Sequence, residues 1–182
     1  MYTVEQMISM AKEAGFSAAV YLDPATLRPM KEVRSMCASD QCHMYNKNWA
    51  CPPGCGSLSE CADAISRCKS GILVQTIGDV EDSLDYEGMM ETEKRHKEAF
   101  LVLTDRFRKD GPVLPLGAGT CTRCKDCTYP DQPCRFPEKM THSMEAYGLL
   151  VNQVCKDNAL PYYYGSSKIA YTSCFLFMEP AK

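Results

Sequence analysis

No stretch of the chain's 182 residues is long and apolar enough to cross a membrane as a helix. The opening MYTVEQMISMAKEAGF has neither a basic leader nor an unbroken apolar run, so it reads as an amphipathic helix rather than a targeting segment. Charge of one sign is lacking as well. The 20 basic and 23 acidic residues are interspersed, leave a net charge of −3, and form no basic stripe interleaved with aromatics. A nucleic-acid partner and a membrane surface are therefore not expected. The dinucleotide fingerprint G-x-G-x-x-G is missing: GAGTC runs on into cysteines instead of opening a helix, and GCGSL has no strand before it. Missing too is the C-x3-C-x2-C triad of radical S-adenosylmethionine enzymes, because Cys51 and Cys55 have the first gap but the next thiol lies six positions on.

What the chain has in excess is cysteine, 12 residues of it. Cys37, Cys42, Cys51, Cys55, Cys61 and Cys68 form one block, and Cys121, Cys124, Cys127 and Cys134 a second. The length suits one domain with an ample core, expected to span residues 1–182, so disulfide stapling is not needed to hold it. The expected setting is a reducing cytoplasm, where thiolates serve metal binding or redox work.

Along the chain, Thr3 and Gln6 predict a capping box, with Val4, Met7, Ile8, Ala11 and Ala14 on one helical face and Gly15 as the stop. SAAVYL predicts a strand, and the Pro24 and Pro29 region a turn. From Met36 to Gly56 periodicity is weak. A second capping box, Ser57 with Glu60, predicts a helix from Leu58 to about Lys69, ended by Gly71, before the buried strand ILVQTI. A long helix from about Tyr86 to Lys109 places Met89, His96, Phe100, Leu103 and Phe107 on one face, with Glu91–Arg95 and Glu93–Lys97 pairs outside it. VLPLGAG is expected as a short strand. Met140, Met144, Tyr147, Val151 and Val154 recur at helical spacing, and LPYYYGSSKIAYTSCFLF suggests two strands joined near Gly165 and Ser166. The expected fold class is α/β or α+β, a single sheet flanked by helices, with two inserted cysteine-rich metal-binding segments at residues 36–68 and 119–139.

The second block, CTRCKDCTYPDQPC, has the spacing C-x2-C-x2-C-x6-C. Three thiols at i, i+3 and i+6 suit a [4Fe–4S] cube, whereas zinc sites usually pair two C-x2-C knuckles across a longer spacer. Cys121, Cys124, Cys127 and Cys134 are thus the expected ligands, with zinc as the alternative. Gly117, Gly119 and Thr120 just ahead would let backbone amides approach cluster sulfurs. Arg123, Lys125, Arg135 and Lys139 could offset its negative charge. In the first block the gaps are x4, x8, x3, x5 and x6, more thiols than one centre needs. Cys37, Cys42 and Cys51 are the leading ligand candidates for a second cluster or a zinc ion, with Cys55 or Cys61 as the fourth. Cys68 reads as a small buried hydrophobe; the isolated Cys155 and Cys174 read mostly as bystanders, though either could supply a ligand from a distance. His43 reads as a loop histidine and His96 as a core-edge one, while His142 could donate to a cluster sulfur. Trp49 reads as a hydrophobic shield over a centre.

Taken together, MCASDQCHMYNKNWACPPGCGSLSEC and GAGTCTRCKDCTYPDQPCRFPEKMTHSMEAYGLLV are similar to the DUF2284 family of predicted metal-binding proteins of bacteria and archaea, many of them anaerobic. The family pattern C-T-x-C-x-x-C-T-Y-P-x-x-P-C-R-x-P falls on Cys121 through Pro137. Its Ser-Met-Glu-Ala-Tyr-Gly stretch falls on Ser143 to Gly148, and its C-P-P element on Cys51, Pro52 and Pro53. The resemblance implies a cysteine-bound metal, of iron–sulfur type, and leaves the reaction open.

Three functions follow as expectations. The first is an electron carrier with one or two [4Fe–4S] clusters and a redox partner protein. The second is an enzyme using an open iron position as a Lewis acid, with Glu145 and Tyr147 as proton carriers. The third is a protein whose loops are stapled by zinc.

Overall fold

The computed structural model describes residues 2–178. Ten regular elements follow one another: α1 (Val4–Glu13), β1 (Ala18–Leu22), α2 (Lys31–Ala38), α3 (Leu58–Ser66), β2 (Ser70–Asp79), α4 (Tyr86–Asp110), β3 (Val113–Gly117), β4 (His142–Ser143), α5 (Val151–Asp157) and β5 (Lys168–Phe177). Both expected capping boxes form, at the starts of α1 and α3. Glu93 and Lys97 pair at 2.6 Å on α4, whereas the guanidinium of Arg95 reaches Thr92.

One mixed sheet carries the strands in the order β1-β2-β5-β3-β4, with β3 and β4 parallel and every other pair antiparallel. Its centre is the ten-residue ladder of β2 on β5, where period-two alternation sends side chains to opposite faces. Ile72, Val74 and Phe175 pack with Met7, Met10, Phe100, Leu103 and Phe107 of α1 and α4. Leu73, Cys174 and Leu176 pack on the other face with Ile65 of α3 and Val154 and Cys155 of α5. The expected single sheet flanked by helices is therefore present. Among the described residues, no helix is long and apolar enough to cross a membrane.

Several local expectations are corrected. Gly71 does not end α3; it lies in β2, where a Cβ would come within 3.0 Å of the Phe175 carbonyl oxygen. The spacing from Met140 to Val154 does not make one helix. Gly148 at φ +76° breaks it, leaving the short strand β4, a 3-10 turn at Glu145–Tyr147, and α5. The tail supplies one strand rather than two: Tyr162 and Tyr163 are exposed, and Tyr164 donates to Gln75 before β5 begins. Met36 and Cys37, expected in irregular chain, belong to α2. His96 lies in the middle of the core rather than at its edge, fully buried, 2.6 Å from the Ser173 hydroxyl and 2.9 Å from that of Thr76.

Candidate metal centre

All twelve cysteines are unbridged thiols. Among the described residues, no three Cys, His, Asp or Glu side chains converge closely enough to hold a single ion. The expectation of two discrete inserted metal-binding segments is corrected accordingly. The first block is spread over α2, a loop, α3 and the core, where Cys61 and Cys68 are buried among Ile65, Leu73 and Leu176. What the fold builds instead is two neighbouring cavities with cysteines in their walls.

The first cavity has a volume of about 340 Å³ and is lined by Cys37, Cys42 and Cys51, together with Met36, Met44 and Glu145. Cys37 comes from the last turn of α2. Cys42 and Cys51 come from a loop held by the Asp40 carboxylate, which accepts from the Tyr45 amide at 2.8 Å, and by Asn48, which accepts from the Ala50 amide at 3.0 Å. The 3-10 turn forms a further wall: Cys37 Sγ lies 3.8 Å from the Glu145 carbonyl oxygen and Cys55 Sγ 3.7 Å from that of Ala146. Burial is the main force on the thiols here. It pushes Cys37 up to about 11 and also raises Cys51, so a metal must displace protons from both. Burial likewise raises the Glu145 carboxyl. His43, exposed with φ +57°, is a loop residue beside this cavity.

Arg34, one turn before Cys37 on α2, ties these parts together. Its guanidinium donates to the Ala146 carbonyl, to the Gly56 carbonyl at 2.5 Å, and to Cys55 Sγ at 3.2 Å, with Cys61 Sγ at 3.9 Å. The Cys55 and Cys61 thiols are neighbours on this guanidinium. The interaction between the two thiols raises Cys55 and lowers Cys61 to about 7, and the guanidinium favours the thiolate of either. Neither thiol is among the described lining residues of the first cavity.

The second cavity, about 30 Å³, is lined by Cys121, Cys124, Cys127 and Cys134, with Arg123, Trp49 and Phe136. Its loop is irregular and pinned by side chains. Arg123 forms a two-pronged pair with Asp105 of α4 and donates to the Lys139 carbonyl at 3.0 Å. Arg135 donates to the Asp126 carbonyl, and Thr128 to that of Pro133. Trp49 stacks edge-on against Tyr129 with ring centroids 4.8 Å apart and donates to the Gln132 carbonyl. Of the expected charge-offsetting cations, Arg123 and Arg135 thus hold backbone carbonyls, and Lys139 lies over the Phe136 ring.

Gly119 and Thr120, expected at the second block, line the first cavity instead. The Thr120 hydroxyl is 3.3 Å from Cys51 Sγ. Conversely, Asn48, Trp49 and Ala50, which precede Cys51, line the second cavity. His142, expected near a cluster sulfur, points its Nδ1 at the Ala50 carbonyl at 3.2 Å and packs on Tyr147. Cys155, on α5, and Cys174, on β5, lie in the core and are among the described lining residues of neither cavity. Sequence reasoning missed Arg34 altogether. Its signal, a basic residue three positions ahead of Cys37, becomes readable only once α2 is recognised.

No curated protein and no solved structure matches the chain. A family model described as "Predicted metal-binding protein (DUF2284)" matches residues 20–177, which include both cysteine blocks and the 3-10 turn between β4 and α5. The chain belongs to the DUF2284 family of predicted metal-binding proteins.

Proposed function

We propose that this protein is an iron–sulfur redox protein, with one [4Fe–4S] centre at each cysteine-lined cavity and electrons exchanged with a partner redox enzyme. The observation that carries the reading is the 3.3 Å contact between Cys51 Sγ and the hydroxyl of Thr120, the residue next to Cys121. A thiol of one set and the chain of the other therefore meet across a single hydrogen bond. When bound, such clusters supply one-electron transfer, while the protein sets potential and access.

The donor set supports iron–sulfur over zinc at the first cavity. Its thiols surround a space of about 340 Å³ instead of converging on one point, which suits a body of several atoms better than a single tetrahedral ion. Cys37, Cys42 and Cys51 would hold it there. At the second cavity all four donors are soft thiols, but the space is about 30 Å³, close to one water's share of liquid. A cube needs more room than the loop leaves there.

A second reading has its own observation. Three lining thiols leave one cluster position without a cysteine, and Glu145 shares the cavity wall, so a small ligand could be bound and protonated there. Anaerobic purification followed by iron, sulfide and zinc analysis and EPR after reduction tests both readings. Reversible one-electron signals from two clusters are expected. A cluster spectrum that changes on adding a small ligand favours the open-site enzyme. Stoichiometric zinc without labile sulfide would sink both.

A further inference from the structure

The first block holds more thiols than its cavity uses, and the surplus is itself organised. Cys55 stands two residues before Ser57, the N-cap of α3, and Cys61 is the fourth residue of that helix. The first turn of α3 is fixed by the Ser57–Glu60 capping box. The Cys61 thiol lies 4.0 Å from the Cys55 carbonyl oxygen. Arg34 spans both sulfurs, at 3.2 and 3.9 Å, and is itself fixed by the Gly56 and Ala146 carbonyls. Exposure is unequal: Cys55 is half-buried and Cys61 is 2% exposed.

We infer that Cys55 and Cys61 form a dithiol–disulfide site beside the first cavity, which exchanges electron pairs with an external disulfide. The accessible Cys55 thiol passes its proton to the neighbouring Cys61 thiolate and attacks one sulfur of the external disulfide, forming a mixed disulfide and releasing one thiolate. Buried Cys61 then attacks the Cys55 sulfur, closing the Cys55–Cys61 disulfide and releasing the second thiolate. The external disulfide is thereby reduced by two electrons and the pair oxidised by two. Return to the dithiol takes two electrons and two protons; the inference rests on the iron–sulfur reading only for the source of those electrons, delivered one at a time by the neighbouring centres. The fixed cation suits this chemistry, because it favours whichever sulfur carries the charge at each step.

The test uses the full chain purified anaerobically with its metal. It is equilibrated in glutathione redox buffers, quenched by alkylation, and mapped through the tryptic peptide of residues 48–67, which holds Cys51, Cys55 and Cys61. A reversible loss of two hydrogens is expected, located between Cys55 and Cys61, with iron and sulfide content unchanged. Cys55→Ser and Cys61→Ser should each abolish that loss and keep the wild-type iron. The inference is overturned if both thiols stay reduced throughout, if the bridge maps to Cys51, or if either variant loses iron and so marks its thiol as a ligand. Should a variant fail to fold, the wild-type map decides alone. Wild-type protein without iron or sulfide would count against the iron–sulfur reading, while the same peptide map would still decide the disulfide.

Discussion

Burial sets the protonation state of the polar side chains enclosed by the sheet, and His96 carries the largest consequence. Desolvation holds its imidazole down to about 3 from an ordinary 6.5. Between those values the unfolded chain binds the extra proton, so stability rises with pH across that window and is lost as pH falls through it. The slope there should approach about 1.4 kcal/mol per pH unit. Denaturation midpoints measured from pH 3 to 7 should show it, and His96→Gln should flatten it; an unchanged slope in the variant would assign the acid sensitivity elsewhere. Thiols separate in the same way. Under the proposed two-cluster reading, Cys124→Ser should lower bound iron at saturation by about half. Cys68→Ser should keep all of it and cost roughly 1–2 kcal/mol, from a hydroxyl placed among Ile65, Leu73 and Leu176. The grouping of Cys121, Cys124, Cys127 and Cys134 was legible from spacing, because short gaps force proximity. The siting of Gly119 and Thr120 was not, because chain adjacency does not say which side of a turn faces which cavity.

Helix and strand elements were readable wherever caps and periodicity agreed, as in α1, α3 and α4, whose capping residues and apolar faces point the same way. They were misread where a single backbone angle overrides the pattern. Gly148, with φ +76°, cuts the run from Met140 to Val154 and creates the 3-10 turn whose carbonyls meet Cys37, Cys55 and Arg34. A Cβ there would also come within 3.0 Å of the Met30 amide nitrogen, and the Gly148 carbonyl accepts from that same amide at 2.8 Å. Gly148→Ala should therefore cost about 1–3 kcal/mol in chemical denaturation, through left-handed backbone strain. It should also deplete iron at the first centre, measured on the Cys124→Ser background, more than at the second, measured on a Cys37→Ser background. Equal depletion of both would show that the turn serves the fold alone. Helix α2 escaped notice because Met30, its N-cap, offers no capping side chain and its eight residues are too few for a clear period.

The whole molecule divides into a packed sheet sandwich and two irregular cysteine-bearing walls. Long-range strand pairing holds the sandwich, and strand order was beyond sequence reasoning because nothing local encodes that β5, last in the chain, pairs between β2 and β3. The walls depend on side-chain clamps such as Arg123–Asp105 and Trp49–Tyr129. Removing metal should accordingly leave far-UV circular dichroism largely intact while opening residues 39–56 and 119–141 to limited proteolysis. Cleavage appearing first within β2 or β5 would contradict that division. The interleaving of the walls carries a last consequence. Gly119 and Thr120 complete the first cavity, and Asn48 to Ala50 complete the second, so neither compartment is finished by its own stretch of chain. If each cavity holds a centre, as proposed, ordering one wall orders part of the other, and occupancy is expected to be cooperative. At sub-stoichiometric iron, native mass spectrometry should find empty and doubly filled molecules, with the singly filled form scarce.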